Sequence, residues 1–504
     1  MTVRLMTPDR DFDLASPLPP HEPELTADLG LTTLWAAMAE GDRYLWDVAR
    51  VVTLRGCLDP AAIRYRQEVL SDFRSHPEVA RELYVISSEA TVGKKRIHGM
   101  LRRTPTSTLR HSVDALKVLV GHLRRLREVA AAHDGTWHSA GARRFFATVL
   151  AQLDDGYFAQ IERHLTLLRF KDGQWMSAQL AQGNRGTAYT LRVPSDVRAR
   201  RQRRFRTTDH RAYAFDVHPR DEAGLEALGD LRDRATNLVA NALAQSTDRI
   251  AAYFTQLRTE VAFFVACLNV ERRLEAAGVP TCRPEPVGLQ PAPILSARGL
   301  YDGVLALRTG GRVIGNDLHA DGRTLVMITG ANSGGKSTFL RSIGLSHLQL
   351  QCGMHVCAER YRASVCDGLF THFAREEDVT MRSGRFDEEL GRMSRITRQL
   401  SPHSMLLCNE SFTGTSEWEG SEIARQVVRA LVGHGVRVVF VTHLYDLAQS
   451  LYEQATGPTL FLRAERLDDG SRSFRILEGA PLPTSYGPDL YERMGGWLPR
   501  PRRT

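Results

Sequence analysis

No apolar run in this 504-residue chain approaches the roughly 18 residues that a transmembrane helix requires. Residues 1–20 carry Asp9, Asp11 and Asp13 and lack the apolar centre of a signal peptide. A soluble, cytoplasmic protein is the expectation. Cysteine is scarce as well: the seven are odd in number and scattered, no two form a Cys-x-x-Cys pair, and Cys352 and Cys357 have no second pair at zinc-site spacing. That excludes a disulfide framework and a zinc centre and leaves reduced core thiols. Long heptad arrays and internal repeats are absent too. The charge surplus, +8 with a pI near 9.2, is small for this length and permits a polyanionic partner without demanding one.

The length exceeds what one hydrophobic core sustains, so several domains are expected, and 42% hydrophobic with 25% charged residues is a globular composition. Residues 1–30, rich in Pro and Asp, read as a tail. Residues 31–283 read as a mainly helical domain, with Leu34, Met38, Leu45, Val48 and Val52 near helical spacing. A small β insertion at about 170–217 interrupts it, because 174–180, 187–193 and 211–217 alternate and Gly183-Asn184-Arg185-Gly186 is a turn signal. A Pro-rich linker spans 284–293, and 294–504 alternates strand and helix as a mostly parallel sheet does. The predicted fold is thus multidomain: a mainly α-helical part with a small β insertion, followed by an α/β domain.

Two basic clusters locate part of the charge. Lys94, Lys95, Arg96, Arg102, Arg103 and Arg110 lie in an acid-free stretch, and Arg198, Arg200, Arg201, Arg203, Arg204 and Arg206 crowd the β insertion. On charge alone these are either solvated loops or phosphate contacts.

The chemistry concentrates in the last domain. Gly330-Ala331-Asn332-Ser333-Gly334-Gly335-Lys336-Ser337 matches the P-loop pattern between an apolar strand and a helix, and this predicts an ATP site. Its glycines let backbone N–H groups wrap phosphates, Lys336 faces the β/γ-phosphates, and Ser337, with Thr338 beside it, supplies a hydroxyl for Mg2+. The next apolar strand delivers Asn409 and Glu410 to its C-terminal end, where ligands bind in such sheets. Glu410 is the candidate base for the attacking water, and Asn409 is placed beside the metal. A further strand, 436–441, ends at Thr442-His443, putting an imidazole within reach of the γ-phosphate.

These motifs, taken in order, resemble the MutS family of DNA mismatch-repair ATPases. The loop with its internal Asn332 is followed by Ser383-Gly384-Arg385, Asn409-Glu410, Gly414-Thr415-Ser416 with Glu419-Gly420, Thr442-His443 and Ser485-Tyr486-Gly487. In the helical half, Arg64-Tyr65-Arg66-Gln67-Glu68-Val69-Leu70 and the segment 261–284 are similar to the family's core and its approach to the ATPase. The resemblance implies a core and lever domain, an ABC-type ATPase domain that homodimerises, ATP and Mg2+ as cofactors, DNA as partner, and a DNA clamp where the β insertion lies. It also places Val313 and Ile314 on the adenine side of the site.

Departures accompany it. Asn409 stands for the usual Asp, Phe386-Asp387 replaces the Ser/Thr after Ser383-Gly384-Arg385, and Val313 stands where an aromatic often stacks on adenine. Ser383 is expected to serve as a helix N-cap. The chain starts at the lever-like segment, so poor discrimination of a mispair and a preference for branched or distorted DNA are expected. The rival readings are an ABC-type ATPase acting on ribosomes or structured RNA, and a nucleotide-gated clamp with little turnover.

Overall fold

The computed structural model describes residues 2–97, 104–171, 173–193, 216–375, 384–454, 457–467 and 471–482. The chain divides into two compact units, Met1–Leu5 with Glu78–Val261 and Met6–Pro77 with Ala262–Thr504.

The larger unit opens with four helices, α1 (Glu22–Leu29), α2 (Leu31–Ala39), α3 (Arg43–Arg55) and α4 (Pro60–Ser75). Asp42 and Asp59 cap α3 and α4 by accepting backbone N–H bonds, and Pro60 occupies the first turn of α4, where no donor is needed. The expected tail at 1–30 is therefore corrected: it contains α1. Leu25 and Leu29 of that helix are buried, and Glu22 pairs with Arg50 at 2.7 Å. Two apolar residues four apart suffice to seat a short helix, and the surrounding Pro and Asp concealed them.

The smaller unit is helical: α5 (Pro77–Ile97), α6 (Pro105–Ala132), α7 (Ala140–Gln152), α8 (Asp155–Leu167) and most of α9 (Glu222–Ala276), with the ribbon β1 (Met176–Leu180) and β2 (Gly186–Leu191) between the last two. A reciprocal capping box between Thr104 and Ser107 starts α6, and its Leu109, Val113, Leu116, Val120 and Leu123 bury one stripe. Trp137 stacks on Phe146 with ring centroids 4.3 Å apart. Leu5 joins this unit through its N–H, which donates to Glu260 Oε2 at 2.6 Å. Two of the three alternating segments are strands, paired antiparallel. Most of the third, 211–215, lies outside the described residues.

The larger unit resumes with β3 (Glu285–Val287), β4 (Leu295–Leu300), α10 (Gly303–Thr309), β5 (Asn316–His319), β6 (Leu325–Thr329), α11 (Lys336–Cys352), β7 (Arg360–Ser364), β8 (Leu369–Phe373), α12 (Arg385–Thr397), β9 (Met405–Asn409), α13 (Glu417–Gly433), β10 (Arg437–Val441), α14 (Tyr445–Gln454), β11 (Thr459–Arg466) and β12 (Arg472–Glu478). Two further expectations change here. The linker at 284–293 contains β3, an edge strand paired with β7, and an edge is where Pro286 is tolerated. The helical domain drawn at 31–283 is divided, because 31–77 and 262–283 pack with the sheets of this unit. Arg64 and Gln67 of α4 donate to the carbonyls of Pro286 and Pro284, and Arg66 donates to that of Cys352.

Strands β8, β9, β10, β6 and β11 run parallel in that spatial order, and β12 closes one edge antiparallel. From β6 the chain leaves for β7 in the second sheet, re-enters at the far edge with β8, and returns by β9 and β10 to the side of β6. The order thus reverses at β6, the switch point where the C-terminal ends of parallel strands leave a crevice. Strands β6 and β10 are buried throughout, as a sheet covered on both faces requires. The core beneath them includes Met327, Leu406, Phe412, Val428, Val438, Phe440 and Leu447. Among the described residues no helix is long and apolar enough to cross a membrane.

Candidate nucleotide site

The loop between β6 and α11 is shaped by β11 behind it. Gly330 has φ +112°, and a Cβ there would lie 2.9 Å from the Ala464 nitrogen. At Gly334 a Cβ would lie 2.8 Å from Ala464 Cβ and 2.9 Å from the Ala331 carbonyl oxygen. Only glycine fits so close an approach. Ser333 takes the left-handed conformation without being glycine, φ +59°. The helix begins at Gly335, which brings no side-chain cap, so its first N–H groups and the positive end of the helix dipole are presented to an anion.

Lys336 is buried, and its ammonium donates to the carbonyls of Gly330 at 2.7 Å and Ala331 at 3.0 Å. Burial pushes its pKa below the ordinary lysine value, against the pull of nearby Glu410. Ser337 donates through Oγ to Asn409 Oδ1 at 2.8 Å, tying the start of α11 to the end of β9. Glu410 follows in the left-handed conformation, φ +52°, with its N–H donating to the Val441 carbonyl at 2.9 Å. Its Oε2 lies 3.8 Å from His443 Nδ1. His443 is the largest influence holding the Glu410 carboxyl below its ordinary value; burial opposes this, and Lys336 and Arg385 add to it. The Glu410 carboxyl is therefore favoured in its ionised form, with Lys336 and Arg385 as the cations that act on it.

A cavity of about 680 Å³ is lined by Asn332, Ser333, Gly334, Gly335, Lys336, Ser337 and Thr338 on one side and reaches Val313, Ile314, Glu410 and His443. Gly330 and Asn409 stand behind the lining, one bonded to Lys336 and the other to Ser337. The Ser337 hydroxyl, the Asn409 amide oxygen and the Glu410 carboxylate are all oxygen donors of the kind Mg2+ accepts. Among the described residues no cluster of three or more His, Cys, Asp or Glu forms. That donor set fits an ion that keeps water and phosphate as its other ligands.

Several residues on this cavity escaped the sequence reading. Asp302 caps α10 through the Leu305 N–H at 3.0 Å and pairs with Arg341 of α11 at 2.5 Å, bracing one wall. An Asp ahead of a short apolar run is an N-cap signal that could have located it. Phe474, Tyr301 and Asn316 also line the space, and no local pattern marks them.

Other sequence candidates lie outside the described residues: Arg198, Arg200, Arg201, Arg203, Arg204 and Arg206, together with Arg102, Arg103, Ser383 and the triplet Ser485-Tyr486-Gly487. Arg110 is described and lies exposed on α6. The resolved N-cap of α12 is Gly384.

Switch-point crevice, glycine loop and strand-end carboxylate together define a mixed α/β unit with a candidate phosphate site at the ends of its parallel strands. Residues 326–494 match the family model described as MutS domain V, and residues 58–277 match the one described as MutS2 N-terminal domain. Proteins named DNA mismatch repair protein MutS from two strains of Chloroflexus aurantiacus are each 35% identical to this chain over 139 residues. That stretch is 27% of this chain and 14% of each relative, about a seventh of their length. The chain belongs to the MutS family.

Proposed function

We propose that this protein is an ATPase that binds ATP with Mg2+ in the cavity at the end of β6, dimerises through its ABC-type ATPase units, and couples the nucleotide cycle to clamping on duplex, mispaired or branched DNA. The observation that carries the reading is the convergence of Lys336, the Ser337–Asn409 pair and the Glu410–His443 pair on one cavity. Lys336 exchanges the carbonyls of Gly330 and Ala331 for β/γ-phosphate oxygens, which are stronger, charged acceptors. Glu410, kept ionised, accepts a proton from the attacking water or fixes its direction, and His443 holds that carboxylate in place. Bound Mg2+ supplies neutralisation of phosphate charge. DNA is preferred over RNA as the partner because the relatives that match the chain are named for DNA mismatch repair.

A second reading, a nucleotide-gated clamp with little turnover, draws on neutral Asn409 beside the Ser337 hydroxyl. The test is phosphate release by the purified chain, alone and with matched duplex, mispaired duplex, four-way junction or ribosomal RNA at one salt concentration. Stimulation by DNA, strongest for the junction, is expected. Stimulation by RNA alone overturns the DNA assignment, and ATP binding without release under every condition favours the gated clamp.

A further inference from the structure

The smaller unit contains a cavity of about 660 Å³, lined entirely by residues between Leu116 and Ile250 and so separate from the nucleotide site. Two helices give it apolar walls at helical spacing: Tyr157, Ile161 and Leu165 from α8, and Val239, Leu243 and Ile250 from α9. Trp175 and Leu191 line it from the β1–β2 ribbon. Leu165 alone among these side chains is buried, and the others stay partly exposed, whereas the stripe of α6 is packed away. Cavities of this size with mainly apolar walls are where small ligands bind, and a hydrocarbon entering one removes the walls from water.

The charge on the walls has one sign. No Asp or Glu lines the space, and its ionisable side chains are Tyr157, His164 and Arg192. Burial raises the Tyr157 hydroxyl above its ordinary pKa and keeps it neutral, so Arg192 carries the permanent charge. Arg192 is fixed across the ribbon: its N–H donates to the Trp175 carbonyl at 2.8 Å and its Nε to Ser177 Oγ at 2.9 Å. Among the described residues no carboxylate pairs with it, which leaves its exposed guanidinium available to an anion at the ribbon edge of the cavity.

We propose that this cavity binds a single amphipathic carboxylate, its hydrocarbon chain lying between the α8 and α9 stripes and its head group paired with Arg192. The stripe from Val239 to Ile250 extends about 16 Å along its helix, room for a long unbranched chain. A neutral alcohol of the same length fills the apolar walls but forgoes the ion pair. An alkylammonium meets a like charge.

Calorimetric titration of the full chain with dodecanoate, dodecanol and dodecylammonium, each below its micellar concentration, tests the assignment. One dodecanoate binds per chain, dodecanol binds more weakly, and dodecylammonium binds most weakly of all. Arg192→Gln weakens dodecanoate about fivefold, as loss of an exposed ion pair does, and leaves dodecanol unchanged. Ala242→Trp, at an exposed position of α9 on the cavity wall, fills the space and abolishes binding of both, while helix content by circular dichroism stays at the parent's value. Absence of saturable dodecanoate binding overturns the proposal, as does equal affinity for dodecylammonium or a dodecanoate affinity that either variant leaves unchanged. Uptake of several dodecanoates per chain overturns it too, because that is adsorption to apolar surface.

Discussion

The strand ends that build the nucleotide cavity and the β1–β2 ribbon represent opposite ways of using β structure. β6 and β10 are buried at every residue and β9 at all but its last, whereas no residue of β1 or β2 is fully buried. Placing a carboxylate, an amide and an ammonium around one phosphate chain demands positions fixed to a fraction of an ångström, and strands packed on both faces provide that. A lone two-stranded ribbon is marginal by itself and cannot provide it. Gripping a nucleic-acid backbone requires only charge and reach. Substitutions at the cavity should therefore act steeply and residue by residue, and those in the arginine-rich segment after the ribbon in sequence shallowly and additively.

The sharpest test lies in the loop. Lys336→Ala should abolish turnover, since Lys336 is the proposed partner of the β/γ-phosphates and its ammonium is bonded to the carbonyls of Gly330 and Ala331. Phosphate release at the parent rate would erase the distinction between cavity and ribbon. Glu410→Gln keeps the cradle and removes the base: ATP binding should persist while hydrolysis falls about 100-fold or more. Loss of binding in this variant would remove Glu410 from its assigned role. Because His443, Lys336 and Arg385 hold the Glu410 carboxyl low, the base form survives acidification past the ordinary glutamate value, and the acid limb it causes in the parent lies below that value.

In the arginine-rich segment that follows the ribbon in sequence the expected effect is smaller and graded. Neutralising Arg200, Arg201, Arg203 and Arg204 together should weaken DNA binding without sequence preference and flatten its salt dependence. Each lost phosphate contact lowers the log–log slope by about 0.9. A salt slope equal to the parent's would make these arginines a solvated loop and leave the insertion without a role.

How much could be read beforehand follows the same division. The strand, loop and helix around Gly330 to Ser337, the strand ending at Asn409 and the placement of His443 at the cavity were legible because local spacing dictates their geometry. Helices α2 and α3 were legible from apolar periodicity, and Leu34, Met38, Leu45, Val48 and Val52 are all buried. Long-range packing was not legible. That Leu25 and Leu29 are buried, that 31–77 joins the sheet-bearing unit, and that Phe474 reaches the cavity through Asn316 all depend on residues far apart in the chain. β11 and β12 were missed although β11 sets the glycine requirement at Gly330 and Gly334, because that requirement comes from contact with Ala464 and leaves no periodic trace.

The smallest effect tests how finely the cavity is tuned. Asn409 sits one residue before the candidate base, and its Oδ1 accepts the Ser337 hydroxyl at 2.8 Å. An aspartate there keeps the acceptor oxygen and its length while adding a negative charge beside the hydroxyl expected to meet Mg2+. Hard divalent cations bind more tightly as carboxylates replace neutral oxygens. Asn409→Asp should therefore lower the Mg2+ concentration that half-saturates the ATPase, by a few-fold rather than orders of magnitude, because triphosphate oxygens already supply most of the negative charge. The opposing influence is on Glu410: a second carboxylate one residue away raises its pKa and moves the acid limb upward. A Mg2+ titration combined with a pH profile separates the two, since metal affinity shifts the first and the proton affinity of Glu410 shifts the second. If both curves superimpose on the parent's, the Asn409 oxygen serves only to hold Ser337, and the metal is bound by Ser337 and phosphate without help from β9.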